Sequence, residues 1–284
     1  MIRLAHISDP HFGTEDPPVC TALTRDLLRE APDLVVLTGD ITQRARTGEF
    51  LAARTFLNGL APLPVLALPG NHDLPLFDLF VRFRAPYGRF LRYIAPSLCP
   101  TWQKGSLAIL GINSTRLLRH KHGNLPRELI DEVARELERI PQCFKVVALH
   151  HPLTALGGTD RKNRVRHAEE AIGRWSEAGA DLFLGGHIHL PSCVAGGHPR
   201  KQTVFVQAGT SVSTRRRGRC PNSYNIIRFE TDGTRRMHIQ QRDHDNESGR
   251  FVGSISKDAV YGSSGWTILT HDHPEHGAEP RVEQ

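Results

Sequence analysis

"ADLFLGGHIHL", residues 180–190, is the stretch on which the reading of this chain turns. A short apolar run ends in Gly185 and Gly186, and His187 and His189 follow with one residue between them. A run of this length closed by glycine reads as a buried strand. The histidine pair after it is either two solvated side chains or half of a metal site. Four other apolar runs end in the same manner. "HISDPHFG" (6–13) carries Asp9 and His11, and "LTGDITQ" (37–43) carries Asp40. "LPGNHD" (68–73) carries Asn71, His72 and Asp73, and "VVALHHP" (146–152) carries His150 and His151.

Working outward, strands are expected over 2–8, 33–39, 64–70, 107–113, 144–150, 181–186, 203–209 and 223–230. Each is apolar, rich in β-branched residues in most cases, and followed by turn residues. Amphipathic helices are expected over 19–29, 49–60, 126–140 and 165–178, where apolar residues recur every three or four positions. In 126–140 the stripe is Leu129, Val133, Leu137 and Ile140, with Pro126 near the helix start. Strand–helix alternation predicts an α/β fold with helices outside the sheet. The strands after about residue 181 lack long helices between them, which suggests a second sheet packed on the first. We expect one catalytic domain over 1–240 and a C-terminal extension over 241–284. That extension reads as a cap, an interface or a loose end, because the chain turns polar there. Its "HDHPEH" run (271–276) is expected to be a solvated tail.

Composition excludes several classes. No apolar run in the 284 residues approaches the roughly 20 a membrane-spanning helix needs. The N-terminal stretch lacks the pattern of a signal peptide, so a cytoplasmic location is expected. The five cysteines are odd in number, widely spaced and without C-x-x-C, which argues against a disulfide framework or a zinc–thiolate site. A net charge of +6 suits an anionic ligand. The sharpest basic cluster is "STRRRGR", with Arg215 to Arg219, either a solvated loop or a contact for a larger anion.

In open α/β sheets, ligands bind beyond the carboxyl ends of the strands. Five such ends would bring Asp9, His11, Asp40, Asn71, His150, His187 and His189 into one small volume. Seven ligands are too many for one tetrahedral zinc. With one carboxylate bridging, they provide two divalent ions with four protein ligands each. Oxygen and imidazole donors without thiolate suit manganese, iron or zinc. Two ions about 3.5–4 Å apart can clamp both oxygens of a phosphoryl displacement.

These blocks, in this order, resemble the calcineurin-like metallophosphoesterases. The family's D-x-H, G-D, G-N-H-[DE], later H and G-H-x-H stand here as Asp9–His11, Gly39–Asp40, Gly70–Asp73, His150 and Gly186–His189. The resemblance covers about residues 1–230. It implies two facing mixed β-sheets flanked by helices, a four-layer αββα sandwich. It also implies that Asp9, His11 and His189 serve one metal, that Asn71, His150 and His187 serve the other, and that Asp40 bridges. His72 would contact phosphate and assist the leaving oxygen, with Asp73 orienting its surroundings. His151 is either a support for the ligands or structural.

Length and the single "GNHD" block look most like the bacterial cyclic-nucleotide phosphodiesterase branch. The expected reaction is hydrolysis of a small anionic phosphodiester by direct attack of a metal-bridging hydroxide. Asn113 and Arg116, from "GINSTR", are candidate substrate contacts, although a strand end and a surface charge would explain them equally. A pyrophosphatase of nucleotide-sugar or lipid substrates, a nuclease, and a non-catalytic scaffold are the alternatives. A homo-oligomer stays open. One departure stands out. Protein phosphatases of the family carry G-D-x-x-D-R-G, whereas this chain has "GDITQRA" (39–45). That argues against a protein phosphatase and leaves open what polarises His72.

Overall fold

The alternation of side chains along the strands divides the apolar residues among three cores. The computed structural model describes residues 1–76, 78–117, 121–141, 143–155, 158–198 and 201–270. All eight expected strands form. β1 (Ile2–Ile7), β2 (Leu34–Thr38) and β3 (Val65–Leu68) are parallel neighbours. β5 (Leu107–Ile112), β6 (Phe144–Leu149), β7 (Leu182–Gly185) and β9 (Lys201–Gln207) make a second parallel set. β10 (Ser223–Phe229) pairs antiparallel with β1.

Successive residues of a strand point to opposite faces. In β1, Leu4 faces the central core while Ala5 and Ile7 face the helices. In β6, Val146 and Ala148 face the central core while Val147 and Leu149 face outward. The central core joins Leu4, Val36 and Leu68 of one set to Ile109, Val146 and Leu184 of the other. The two sheets therefore face each other. α1 (Pro17–Glu30) and α2 (Thr47–Asn58) cover the first through Leu23, Leu27 and Phe50. α5 (Arg127–Arg139) and α6 (Ala168–Glu177) cover the second through Ile130, Val133 and Trp175. This is the expected αββα arrangement. Two short helices, α3 (Leu79–Arg84) and α4 (Gly88–Tyr93), follow β3.

Five further strands were not anticipated: β4 (Thr101–Lys104), β8 (Ser192–His198), β11 (Arg236–Asp245), β12 (Arg250–Gly262) and β13 (Gly265–Thr270). β10 to β13 form consecutive antiparallel pairs. A single parallel pair, Gly265 with Gln202, then joins β13 to β9. The two facing sheets thus belong to one hydrogen-bonded path, running β3-β2-β1-β10-β11-β12-β13-β9-β7-β6-β5-β4. The position expected for a domain boundary, 240/241, falls inside β11. Phe251 and Trp266 are buried in the cores. The "HDHPEH" run lies outside the described residues. Among the described residues, no helix is long and apolar enough to cross a membrane. All five cysteines are free.

Candidate metal centre

Sharp turns at the strand ends build the site. Asp9, His11, Asp40, His187 and His189 all have positive φ, between 45° and 73°. For non-glycine residues this left-handed region costs about 1–2 kcal/mol each. Such strain persists where the surroundings enforce it, and it clusters at functional sites. The glycines before these turns are needed for space. A Cβ on Gly70 would lie 2.0 Å from the Asp40 backbone N, and one on Gly186 would lie 1.9 Å from Ser8 Oγ. The loops after β1, β2, β3 and β7 can approach closely only because those side chains are missing.

The donor atoms converge. His150 Nδ1 lies 2.7 Å from Thr38 O, and His189 Nδ1 lies 2.7 Å from Arg215 O. A carbonyl only accepts, so both Nδ1 atoms carry a proton and both Nε2 atoms face the cluster, each with a lone pair there once the ring is neutral. His189 Nε2 is 3.0 Å from His11 Nε2 and 3.3 Å from Asp9 Oδ1. His150 Nε2 is 3.2 Å from Asn71 Oδ1, 3.3 Å from Asp40 Oδ1 and 3.3 Å from His187 Nδ1. Lone pairs crowded in this way repel unless a cation lies among them. Asp9 Oδ2 accepts from Ser8 Oγ and the His187 backbone N–H, while its buried Oδ1 has no hydrogen-bond partner. The donor set and this orphaned oxygen fit a divalent ion. Asp40 lies between the two groups, with Oδ2 3.7 Å from His11 Nε2 and Oδ1 3.3 Å from His150 Nε2.

Protonation states agree with this. Burial opposes ionisation of Asp9, but His189 and His150 outweigh it and bring the carboxyl down to about 2. Burial is likewise outweighed at Asp40, where His150, His72 and His11 hold the carboxyl well below its usual range. Burial lowers His11 to about 3 and His187 to about 4, so both imidazoles are neutral and able to bind metal. His150 goes the other way. Burial disfavours its charge, yet the Asp40 carboxylate raises it to about 9. A cation is what this buried pair of carboxylates favours, and a proton on His150 is the smallest one.

All seven expected ligands come together. His72 joins them, its ring 4.9 Å from that of His11. Its Nδ1 donates to the Gln43 backbone carbonyl at 2.8 Å, which fixes the orientation of the ring. Gln43, in the stretch that differs from the protein phosphatases' G-D-x-x-D-R-G, thus orients His72 through its backbone carbonyl. Asp73 points away from the cleft. Its carboxylate accepts from the backbone N–H groups of Ile41, Thr42 and Gly70 and from Thr42 Oγ1, at 2.8–3.2 Å. It clamps the Asp40 loop to the Asn71 loop. Burial and then the Asp40 charge push its carboxyl up to about 6. His151 packs beneath His187, with ring centroids 4.7 Å apart, and its Nδ1 contacts Ser114 Oγ at 2.8 Å.

Asn113 and Arg116 are not brought to the cleft. Asn113 Oδ1 accepts from Thr115 N and Oγ1, and Arg116 donates to the carbonyls of Asn113 and Thr115. Both close a local turn. The cleft, about 540 Å³, is instead lined beside the ligands by Lys121, Asn163, Ile188 and Arg215 to Arg217. Arg215 Nη1 donates to Gln43 Oε1 at 2.9 Å, which braces the residue that holds His72. The run of arginines was visible in the sequence. Its place beside the candidate ligands depends on the chain's return after β9.

A buried cluster of carboxylates and imidazoles at the ends of two facing sheets defines a metal-dependent phosphoesterase scaffold. Residues 2–191 match the calcineurin-like phosphoesterase family, and the chain belongs to that family. It is 32% identical over 172 residues to a glycerophosphodiester phosphodiesterase of Enterobacter lignolyticus, covering 54% of this chain and 58% of that protein. It is 27% identical over 235 residues to a cAMP/cGMP dual specificity phosphodiesterase of Mycobacterium tuberculosis, covering 72% and 70%. The chain thus spans less than two thirds of the length of the first of these relatives. Among solved structures, PhoD superposes with a TM-score of 0.70 at 12% identity, over 97% of this chain and 73% of PhoD. A purple acid phosphatase of yellow lupin superposes with a TM-score of 0.65 at 13% identity, over 90% and 53%. Likeness at that identity concerns the fold alone.

Proposed function

We propose that the chain is a phosphodiesterase with two divalent ions, acting on small anionic diesters of the cyclic-nucleotide or glycerophosphodiester kind. The observation that carries this reading is Asp40, whose two carboxylate oxygens face histidines of different groups. Asp9, His11 and His189 would hold one ion, and Asn71, His150 and His187 the other. Manganese, iron and zinc all suit these donors. Bound there, the ions would lower the pKa of water and stabilise charge on the phosphoryl oxygens.

The chain's own residues supply the rest. His72, oriented through Nδ1 by Gln43 O, presents Nε2 to the leaving oxygen and, from the doubly protonated ring, gives up the Nε2 proton to it and becomes neutral imidazole. Asp73 holds the Asp40 and Asn71 loops in register. Arg215 to Arg217 and Lys121 supply positive charge along the cleft wall, which favours binding of an anion. The names of the relatives support diesters over monoesters, and the missing G-D-x-x-D-R-G block argues against a protein phosphatase. A cytoplasmic location is part of the same reading.

The test is hydrolysis of bis(p-nitrophenyl) phosphate, cyclic AMP and p-nitrophenyl phosphate with added manganese. Diester turnover well above monoester turnover is expected. The reverse order would overturn the phosphodiesterase assignment.

A further inference from the structure

Two lengths of chain form one wall of the metal cleft. The first carries Lys121 and His122. The second carries Asn163 and runs on to His167. His122 Nδ1 donates to Lys162 O at 3.0 Å, and an isolated parallel bridge pairs Asn124 with Arg166. Lys121 and Asn163 line the cleft itself. Their immediate neighbours, His122 and Lys162, line a second cavity of about 390 Å³, together with Arg161, Arg164, Arg166 and His167. The cleft and the second cavity therefore share this wall.

The charges of the second cavity are unbalanced. Glu169 is the one carboxylate among its described lining residues, and Arg164 Nη1 already lies 3.3 Å from it. Arg161, Lys162 and Arg166 have no carboxylate partner among the described residues, and all three side chains are exposed. Like charges gathered at one concavity repel each other and raise the local concentration of anions. A small diester places its single negative charge at the metal ligands and leaves these cations unused.

We propose that this cavity is a second anion subsite, which holds a phosphate of the substrate other than the one cleaved. The proposal rests on the phosphodiesterase reading and narrows it. The preferred substrate is a phosphodiester bearing at least one further phosphate, as in an oligonucleotide or a nucleotide diester that carries a polyphosphate group.

The test combines Arg161→Gln, Lys162→Gln and Arg166→Gln in one variant, with its melting point checked against wild type. Two matched esters are compared: thymidine 5′-(p-nitrophenyl phosphate), and the same ester carrying a 3′-phosphate. The wild type should prefer the 3′-phosphorylated ester. The variant should lose that preference by about 10- to 100-fold, the range for charge-assisted contacts. Its kcat/KM for bis(p-nitrophenyl) phosphate should not change. Binding of a fluorescent oligothymidylate, followed by anisotropy, adds a readout independent of turnover. The slope of log Kd against log salt should fall by about 2 for three lost phosphate contacts on a single strand. A parallel competition with thymidine tetraphosphate separates the two sources: weaker competition with unchanged oligothymidylate binding assigns a nucleotide polyphosphate, and the converse assigns a nucleic-acid backbone. Equal preference for the two esters in wild type, or wild-type preference and affinities in the variant, would overturn the subsite. If no diester is cleaved at all, the phosphodiesterase reading fails, while the salt slope still decides whether the cavity binds phosphate.

Discussion

Replacing Gly70 by alanine tests whether the metal centre depends on close contact of two loops. The backbone at Gly70 has φ −103° and ψ 179°, which alanine adopts freely, so conformational strain is not at issue. Space is. The new Cβ would sit 2.0 Å from Asp40 N, 2.2 Å from Asp40 Oδ1 and 2.8 Å from Asp40 Cα. Real Cβ contacts do not fall below 3.0 Å, so the Asp40 loop must retreat by about 1 Å. Overpacking of this kind costs about 1–3 kcal/mol, which in a chain of this size lowers the melting point by several degrees. The effect on the site is larger. Asp40 is the residue between the two ligand groups, and a misplacement of about 1 Å costs on the order of 100-fold in rate. Three assays follow one variant: thermal melting, metal retained after desalting, and turnover of bis(p-nitrophenyl) phosphate. Gly48→Ala is the control. Nothing lies within 4 Å of its new Cβ, and the position is in the first turn of α2, so it should be neutral or slightly stabilising. A Gly70→Ala protein with wild-type metal content and more than a tenth of wild-type turnover would refute this reasoning.

Asp40→Ala should release metal and lose most diester hydrolysis. His72→Ala should keep its metal and lose about 10²- to 10⁴-fold in kcat; a metal-depleted His72→Ala would contradict the division of roles. His187→Ala and His189→Ala should weaken different ions, and metal analysis showing loss of the same ion from both would refute the two-site split. Asp26 accepts from Tyr224 Oη at 2.5 Å and from buried Arg242 Nε at 2.7 Å. Asp26→Ala removes the nearest carboxylate from Arg242, leaving it Glu30 at 3.6 Å and the Phe251 carbonyl, and should cost about 1–3 kcal/mol in a denaturant titration, against which an unchanged stability would count. Ending the chain at Asp245 removes β12 and β13 with the fully buried Phe251 and Trp266. At about 3–5 kcal/mol for each such side chain, the shortened protein should not unfold cooperatively, and a cooperative melt near that of wild type would argue for a separable C-terminal extension.

The legible parts of this molecule were those where one residue type has one physical use. Apolar runs such as Leu34–Thr38 and Phe144–Leu149 are buried on both faces, so their strands announced themselves. The candidate ligands stood out because histidine and aspartate directly after a buried strand have few structural uses. What stayed hidden was structure without a distinctive side-chain pattern. β4 is mostly exposed, and β12 is exposed over much of its length, so neither shows the hydrophobic signal of a core strand. β8 carries two consecutive glycines. The partner of His72 is a backbone carbonyl, which every residue owns, so nothing in "GDITQRA" marks Gln43. Asn113 and Arg116 had the right chemistry at a strand end, but a local turn consumes both.

The candidate ligands come from both facing sheets: Asp9, His11, Asp40 and Asn71 follow β1 to β3, and His150, His187 and His189 follow β6 and β7. Elsewhere, among the described residues, the strand ladder that joins the two sheets passes through one residue pair at β13 and β9. An ion held by ligands from both sides would therefore act as a clasp across the sandwich as well as a reagent. A ligand that binds only the folded state at 100 times its Kd adds about 2.7 kcal/mol of stability. Metal supply would then set how long the protein survives proteases, so that scarcity removes the molecule as well as its activity.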